Sequence, residues 1–154
     1  MQTFLPLPNF TDTARALDYR RLGRQRVEAW QILKALRGET KGWRNHPAVL
    51  MWAGYEDALN AYGREMCLEW IARGYKDTML ERFVCVGAPT MPAWLGDERL
   101  HKSHQSNLIR KAPEYYQEQF PDVNGETPYF WVVDDKQYSN VVDYTPKERR
   151  NTNG

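Results

Sequence analysis

The chain has 154 residues, of which 42% are hydrophobic and 27% are charged, and this composition is typical of one soluble globular domain with a real core. No apolar run reaches the roughly 18 residues of a membrane span, and "MQTFLPLPNF" lacks the pattern of a signal peptide, so the sequence predicts a cytoplasmic protein without membrane contact. The net charge is +1, but residues 1–45 contain nine Lys and Arg against four Asp and Glu, a balance of +5, which leaves −4 for the remainder. Such a basic third is typical of a phosphate-binding face and also of a solvated helix.

The first half of the chain is predicted to contain an extended segment and two long helices. The stretch "LPLPNF" is too rich in proline for a helix and is expected to run extended over the surface. Polar side chains at residues 11–13 can cap a helix that continues to Leu36, with Gly23 as its weak point. After "GWRNHP", where His46 can act as a cap, a second helix is predicted over residues 47–73.

The second half is predicted to contain one more helix and two strands. "VCVGAPTMPAWLGD" reads as a connecting loop, and a third helix is expected to begin near Asp97 and to be interrupted at Pro113. "PYFWVV" and "YSNVVDY" predict two short strands in a hairpin. We therefore expect a mostly α, compact single domain of about three main helices with long loops and a short C-terminal β-hairpin, formed by residues 1–145 and followed by a frayed tail at residues 146–154.

No motif for a metal or a cofactor is apparent. Cys67 and Cys85 lack C-x-x-C spacing, which favours two reduced thiols. His101 and His104 form an H-x-x-H on one helical face, but no third ligand accompanies them. The sequence contains no phosphate-binding loop, G-x-G-x-x-G or nucleophile elbow, so it predicts neither a metal site nor a nucleotide cofactor.

The helix that includes "DYRRLGRQRVEAWQIL" has polar residues where its buried face should be apolar. At about 100° per residue, Asp18, Arg21 and Gln25 share a sector with apolar residues such as Leu22, and Glu28 lies just outside it. Burying an unpaired charge costs several kcal/mol, so these groups need partners. One interpretation is an Asp18–Arg21 pair with a hydrogen-bonded Gln25 at a helix interface, and the other is a functional cleft.

Further polar residues suit contacts with phosphate oxygens. Lys102, His104, Asn107 and Arg110 lie along the third predicted helix, whose N-terminus adds amide donors. An ordinary solvated helix would have the same pattern. His46 is first a capping residue and second a ligand for a phosphate or a base.

Three stretches, "LDYRRLGRQRVEAWQIL", "NHPAVLMWAGYEDAL" and "HKSHQSNLIRKAPEYY", together resemble the pyrimidine dimer DNA glycosylase family, which comprises the small phage endonuclease V type and its bacterial and phage relatives. The resemblance extends over roughly residues 1–120. It implies a compact helical domain whose long first helix lies at the DNA face. Such enzymes grip bent duplex DNA, flip out a nucleotide and cleave an N-glycosidic bond, and the best-known members then cut the abasic strand through a Schiff base.

The sequence departs from the pattern of these relatives at two positions. Their Y-R-E-L stretch supplies a catalytic glutamate, whereas this chain has Arg21 at the corresponding position. They also use the α-amine that is exposed when Met1 is removed before Thr, whereas Gln2 follows Met1 here and normally protects it from excision. Two routes remain open, namely attack by a retained Met1 amine and activation of water by the carboxylate of Asp18 or Glu28.

The expected function is therefore excision of a damaged or modified pyrimidine from double-stranded DNA by a monomer that flips the base. The alternatives are a noncatalytic DNA-binding module of the same fold and an enzyme that remodels hypermodified phage bases without releasing them. The predicted catalytic residues are Asp18, Arg21 and Glu28. The predicted DNA-binding residues are Arg20, Arg24, Gln25, His46, Lys102, His104, Asn107 and Arg110.

Overall fold

The computed structural model describes residues 2–132 and the backbone of residues 141–143, and it confirms a mostly helical fold. Three long helices are joined by loops and short helices. In chain order the elements are α1 (Phe10–Ala16), α2 (Tyr19–Leu36), α3 (Pro47–Trp52), α4 (Glu56–Ala72), a 3₁₀ turn (Leu80–Arg82), α5 (Glu98–Lys111), α6 (Pro113–Tyr116), β1 (Phe130–Val132) and β2 (Val141–Asp143). Strands β1 and β2 pair antiparallel, as expected of the predicted hairpin.

The first predicted helix is in fact two helices. α1 ends at Ala16, and α2 begins after Asp18, whose extended backbone (φ −67°, ψ 162°) and capping side chain start a new helix. Gly23, the expected weak point, lies inside α2. A Cβ atom at this position would lie 3.0 Å from the Trp70 ring, so the glycine permits the close approach of α2 and α4.

The second predicted helix is also divided. α3 ends at Trp52 and α4 begins at Glu56, because Gly54 adopts a left-handed backbone (φ 86°) that no helix can include. His46 caps α3 as predicted, since its Nδ1 atom accepts a hydrogen bond of 3.0 Å from the Ala48 N–H. Pro113 lies at the first position of α6, where a missing N–H costs nothing.

The core forms where α2 packs on α4 and where large aromatic rings fill the space between the short elements. Trp52 and Trp94 are fully buried and meet edge to face at 5.0 Å between ring centroids. Phe10 of α1 contacts both Trp52 and Tyr62, which joins the first helix to α3 and α4.

The N-terminal segment, residues 2–6, is buried. The prediction that residues 5–10 run over the surface is therefore wrong for Leu5 and Pro6, whereas Pro8 and Asn9 are exposed. Leu5 has no exposed area, and Thr3 is 1% exposed. The segment passes between α2, α3, α4 and α5, and its proline content excludes a helix but not burial. A buried extended backbone needs hydrogen-bond partners outside itself, and side chains of these four helices provide them.

Some predictions concern residues outside the described ranges. The predicted frayed tail at residues 146–154 lies there, as does Met1. Within the described ranges, no helix has the length and the apolar character to cross a bilayer. Cys67 is a buried free thiol and Cys85 an exposed one, which confirms the prediction of two reduced thiols.

Candidate functional site

The polar face of α2 binds the backbone of the N-terminal segment. Gln25 is 1% exposed, and its Oε1 accepts a hydrogen bond of 2.9 Å from the Phe4 N–H. Its Nε2 donates a bond of 3.0 Å to the Gln2 carbonyl. Both ends of the carboxamide are therefore used within the protein. The prediction that Gln25 contacts DNA is corrected, because its position in the core sector of α2 directs it to a neighbouring backbone.

Tyr62 of α4 completes this arrangement. Its hydroxyl lies 2.6 Å from Gln25 Oε1 and 2.7 Å from the Phe4 carbonyl oxygen. Burial raises the pKa of Tyr62 well above its usual value, and the nearby charge of Glu28 raises it further. The phenol therefore keeps its proton and acts as a donor to the segment.

Two histidines of α5 hold the segment from the other side. The Nδ1 atom of His104 accepts a hydrogen bond of 2.8 Å from the Leu5 N–H, while His101 Nδ1 lies 2.7 Å from the Leu5 carbonyl oxygen. His101 Nε2 accepts from the Gly96 N–H at 2.9 Å, which leaves the proton on Nδ1 to bond Leu5. Burial lowers the pKa of His104 to about 3 and lowers that of His101 as well, so both rings are neutral at pH 7.

Glu28 connects the buried segment with the protein surface. Its Oε1 accepts a hydrogen bond of 2.6 Å from the Gln2 N–H, and its Oε2 accepts bonds of 3.3 and 3.2 Å from Nε and Nη2 of Arg24. The Glu28 side chain is 11% exposed and that of Arg24 is 72% exposed. The carboxylate is thus buried against the N-terminal segment on one side and neutralised by a solvent-facing cation on the other.

Asp18 and Arg21 form a separate cluster at the start of α2. Asp18 caps the helix by accepting from the Arg21 N–H and also pairs with the Arg21 guanidinium at 3.2 Å. The Tyr116 hydroxyl donates to Asp18 Oδ1 and accepts from the Asp18 N–H at 2.8 Å. Burial and the hydrogen bond to the Asp18 carboxylate raise the pKa of Tyr116. These contacts confirm the interpretation of an Asp18–Arg21 pair and give Asp18 a capping role.

The outer edge of α2 is cationic. Arg20 and Arg24 are four residues apart, lie on the same side of the helix and are exposed. The Arg20 guanidinium lies 5.4 Å from the centre of the Tyr19 ring, and Arg24 reaches Glu28. Arg24 therefore borders the buried carboxylate on the solvent side, and Arg20 extends the cationic edge toward the start of α2.

The residues predicted on α5 are used mainly for packing. His104 and Asn107 are buried, at 0% and 3% exposure, so the prediction that they contact DNA is corrected. Asn107 Nδ2 donates to the Ser103 carbonyl at 2.7 Å, and Arg110 donates to the Gly125 carbonyl. Lys102 remains exposed and lies 3.7 Å from Glu98. Irregular backbone packs against α5, and the buried polar side chains of this helix supply hydrogen-bond partners to that backbone.

Sequence reasoning missed two residues of this region, Gln2 and Tyr62, and considered His101 only as a metal ligand. The H-x-x-H spacing did indicate that His101 and His104 share a face, but the partner is the Leu5 peptide rather than a metal. Among the described residues, no group of three or more His, Cys, Asp or Glu side chains is arranged to hold a metal ion. Gln2 and Tyr62 have no local pattern that would identify them.

The fold and the site define a mostly helical protein in which a cationic helix edge borders a buried carboxylate beside the N-terminal segment. A family model described as pyrimidine dimer DNA glycosylase matches residues 1–82, which is more than half of the chain and includes α1–α4 and the segment that they enclose. The chain belongs to this family, which confirms the family resemblance and implies DNA binding. The third stretch of the resemblance, residues 101–116, lies beyond the matched residues. Comparison with curated proteins found no match, and comparison with solved structures found none either.

Proposed function

We propose that the protein cleaves the N-glycosidic bond of a damaged or modified pyrimidine in double-stranded DNA, and that Glu28 is its catalytic carboxylate. The observation that supports this is the contact of Glu28 Oε1 with the nitrogen of Gln2 at 2.6 Å. Glu28 lies seven residues, about two helical turns, beyond Arg21 and therefore on nearly the same face of α2. A carboxylate two turns along the helix would thus serve where the family glutamate is absent.

The chemistry asked of Glu28 is stabilisation of positive charge. Cleavage of a glycosidic bond passes through a transition state that resembles an oxocarbenium ion, and a nearby carboxylate stabilises that charge and orients an attacking water molecule. In the alternative route the attacking group is the N-terminal α-amine, and a strand-cutting step follows through a Schiff base. Glu28 contacts the backbone nitrogen of the second residue, so the same carboxylate serves either route.

Arg20, Arg24 and Lys102 are proposed to contact DNA phosphates. A phosphate that binds Arg24 competes with Glu28 for the same guanidinium, because both are anions and both accept from its N–H groups. DNA binding would then withdraw Arg24 from Glu28 Oε2 and uncover the carboxylate. Arg21 stays paired with Asp18, the residue that caps α2, and is not proposed to contact a phosphate. We propose that a monomer carries out this reaction.

The test compares two carboxamide variants on the same helix. Glu28→Gln keeps the acceptor for the Gln2 N–H but removes the charge, and it should slow bond cleavage about 100-fold or more while duplex binding persists. Asp18→Asn keeps the cap and should retain near-normal cleavage. The substrates are duplexes with one thymine dimer or one 5-hydroxymethyluracil, and the products are separated by electrophoresis after abasic-site cleavage.

The outcomes separate the remaining alternatives. Full activity of Glu28→Gln would exclude it as the catalytic group. Binding that depends steeply on salt, with no cleavage of either duplex by the unmodified protein, would favour the noncatalytic DNA-binding module. Trapping with borohydride distinguishes the routes, because only the amine route forms a reducible covalent adduct. The intact mass of the protein identifies its N-terminal residue.

A further inference from the structure

The side chain of Gln2 is buried without hydrogen bonds. Gln2 is 8% exposed, and neither Nε2 nor Oε1 of its carboxamide has a partner among the described residues. A buried polar group without a partner destabilises the folded state, and the large majority of buried side-chain polar atoms in proteins are hydrogen-bonded. A donor and an acceptor left unpaired in one side chain therefore require an explanation.

The contrast with the surrounding atoms is sharp. The N–H of Gln2 donates to Glu28 and its carbonyl accepts from Gln25. The N–H and the carbonyl of Phe4 and of Leu5 are bonded as well, and so is the Thr3 hydroxyl. The carboxamide of Gln2 thus differs from the backbone of Gln2, Phe4 and Leu5 and from the Thr3 hydroxyl, which side chains of four helices supply with partners.

The position of this carboxamide relates it to the proposed reaction. The same residue contacts Glu28 through its backbone N–H, so the unpaired donor and acceptor belong to the residue that touches the proposed catalytic carboxylate. Glu28 in turn reaches the surface through Arg24. A nucleotide drawn into the site by that route would meet the carboxylate at the residue that carries the unpaired carboxamide.

We propose that Gln2 determines specificity by binding the hydrogen-bonding edge of a nucleobase that enters beside Glu28. This inference rests on the proposed function. A carboxamide offers one acceptor and an NH₂ donor, which match a base edge with one donor and one acceptor side by side. Thymine presents N3–H beside O4, and adenine presents N6–H beside N1, so the ligand is either the damaged pyrimidine or the purine opposite it. Such a bidentate pair discriminates against the wrong base by roughly 5- to 100-fold.

The informative substitution is Gln2→Leu. Leucine has a similar size and no polar atoms, and like glutamine it is a bulky second residue that protects Met1 from excision. Because the change removes two unpaired buried polar groups, the free energy of unfolding should be unchanged or raised. A residue with a structural role alone would show only this effect on stability. Gln31→Leu, an exposed glutamine of α2, is the matched control.

The experiment measures kcat/KM for bond cleavage, and the binding constant by fluorescence anisotropy, on three duplexes. The first contains a thymine dimer opposite two adenines, the second has both N3 atoms of the dimer methylated, and the third has unsubstituted purine in place of both adenines. For the wild type, kcat/KM and affinity should be roughly 5- to 100-fold lower on either the second or the third duplex than on the first. The affected duplex identifies the base that Gln2 contacts. Gln2→Leu should give the same kcat/KM and the same affinity on all three duplexes, and Gln31→Leu should discriminate among them as the wild type does.

Each result decides between the two proposals. Equal discrimination by wild type and Gln2→Leu would overturn the role of Gln2, as would a wild type that does not discriminate, even if cleavage occurs. Discrimination in binding that is lost in Gln2→Leu, with no cleavage of any duplex, would support the role of Gln2 while the proposed catalytic function fails.

Discussion

His104 Nδ1 accepts a hydrogen bond of 2.8 Å from the Leu5 N–H, so a residue near the start of the chain is held by one that follows it by 99 positions. The His104 ring is fully buried, and its edge contacts involve Phe4 and Tyr129. The N-terminal segment that carries Gln2 is therefore held in place by α5 as well as by α2, whose Glu28 contacts the Gln2 N–H.

Stability is expected to fall in acid because of His104. Its pKa in the folded protein is lowered to about 3 by burial from an ordinary value of 6.5, so the unfolded chain binds this proton first as the pH decreases. The stabilising contribution is complete above about pH 6.5 and is lost progressively as the pH falls toward 3. The expected slope from this residue is about 1.4 kcal/mol per pH unit between pH 6 and pH 4, measured by urea unfolding.

His104→Gln tests this assignment. The variant keeps an acceptor for the Leu5 N–H but does not titrate, so its unfolding free energy should depend less steeply on pH by about 1.4 kcal/mol per unit over the same range. His101 contributes in the same direction and remains in the variant. Identical slopes for wild type and His104→Gln would show that the ring is not the source of the acid sensitivity.

Gln25→Leu should destabilise the protein strongly. The substitution removes the partners of the Gln2 carbonyl and the Phe4 N–H and one acceptor of the Tyr62 hydroxyl, all of which stay buried. We expect the free energy of unfolding to fall by roughly 2–5 kcal/mol, determined from urea titrations. Gln31→Leu on the exposed side of α2 should change it by about 0.5 kcal/mol or less. Comparable effects of the two changes would refute the proposed support of the segment.

Arg24→Ala should weaken duplex binding through the loss of one phosphate contact. The slope of log K against log salt concentration is expected to become shallower by about 0.9, measured by anisotropy between low and moderate salt. Arg64→Ala removes an exposed cation from α4 instead and should leave the slope unchanged. The reverse result would place the DNA on the α4 side of the molecule.

Gly23→Ala sets two effects against each other. Alanine favours a helix over glycine by about 0.5–1 kcal/mol, but the new Cβ would lie 3.0 Å from the Trp70 ring. That ring cannot yield easily, because its Nε1 donates to the Lys76 carbonyl at 2.9 Å and it stacks on Tyr75. We expect the free energy of unfolding, measured by thermal denaturation, to fall by about 1 kcal/mol. In a Trp70→Leu background the same change should instead stabilise the protein.

The sequence predicted the helical class of the fold, the His46 cap and the start of α5 at Asp97, because these depend on periodicity and on local capping. It did not predict the break at Asp18, since a residue that caps one helix can also be read as part of a longer one. It also placed Gln25, His104 and Asn107 at the DNA. Polar side chains on α2 and α5 were recognised, but their partners are backbone groups that are distant in sequence.

The spacing of residues along the chain thus determined that α2 has a polar stripe within its buried face. Glu28 lies at the edge of that stripe, and arginines lie beyond it. Only the tertiary structure decided what the stripe binds. A buried extended segment must satisfy its N–H and carbonyl groups, and it does so with Gln25, Glu28 and His104 from two different helices. This pairing depends on the packing of elements that are far apart in the chain. A local sequence pattern therefore cannot predict which backbone group each polar side chain will bind.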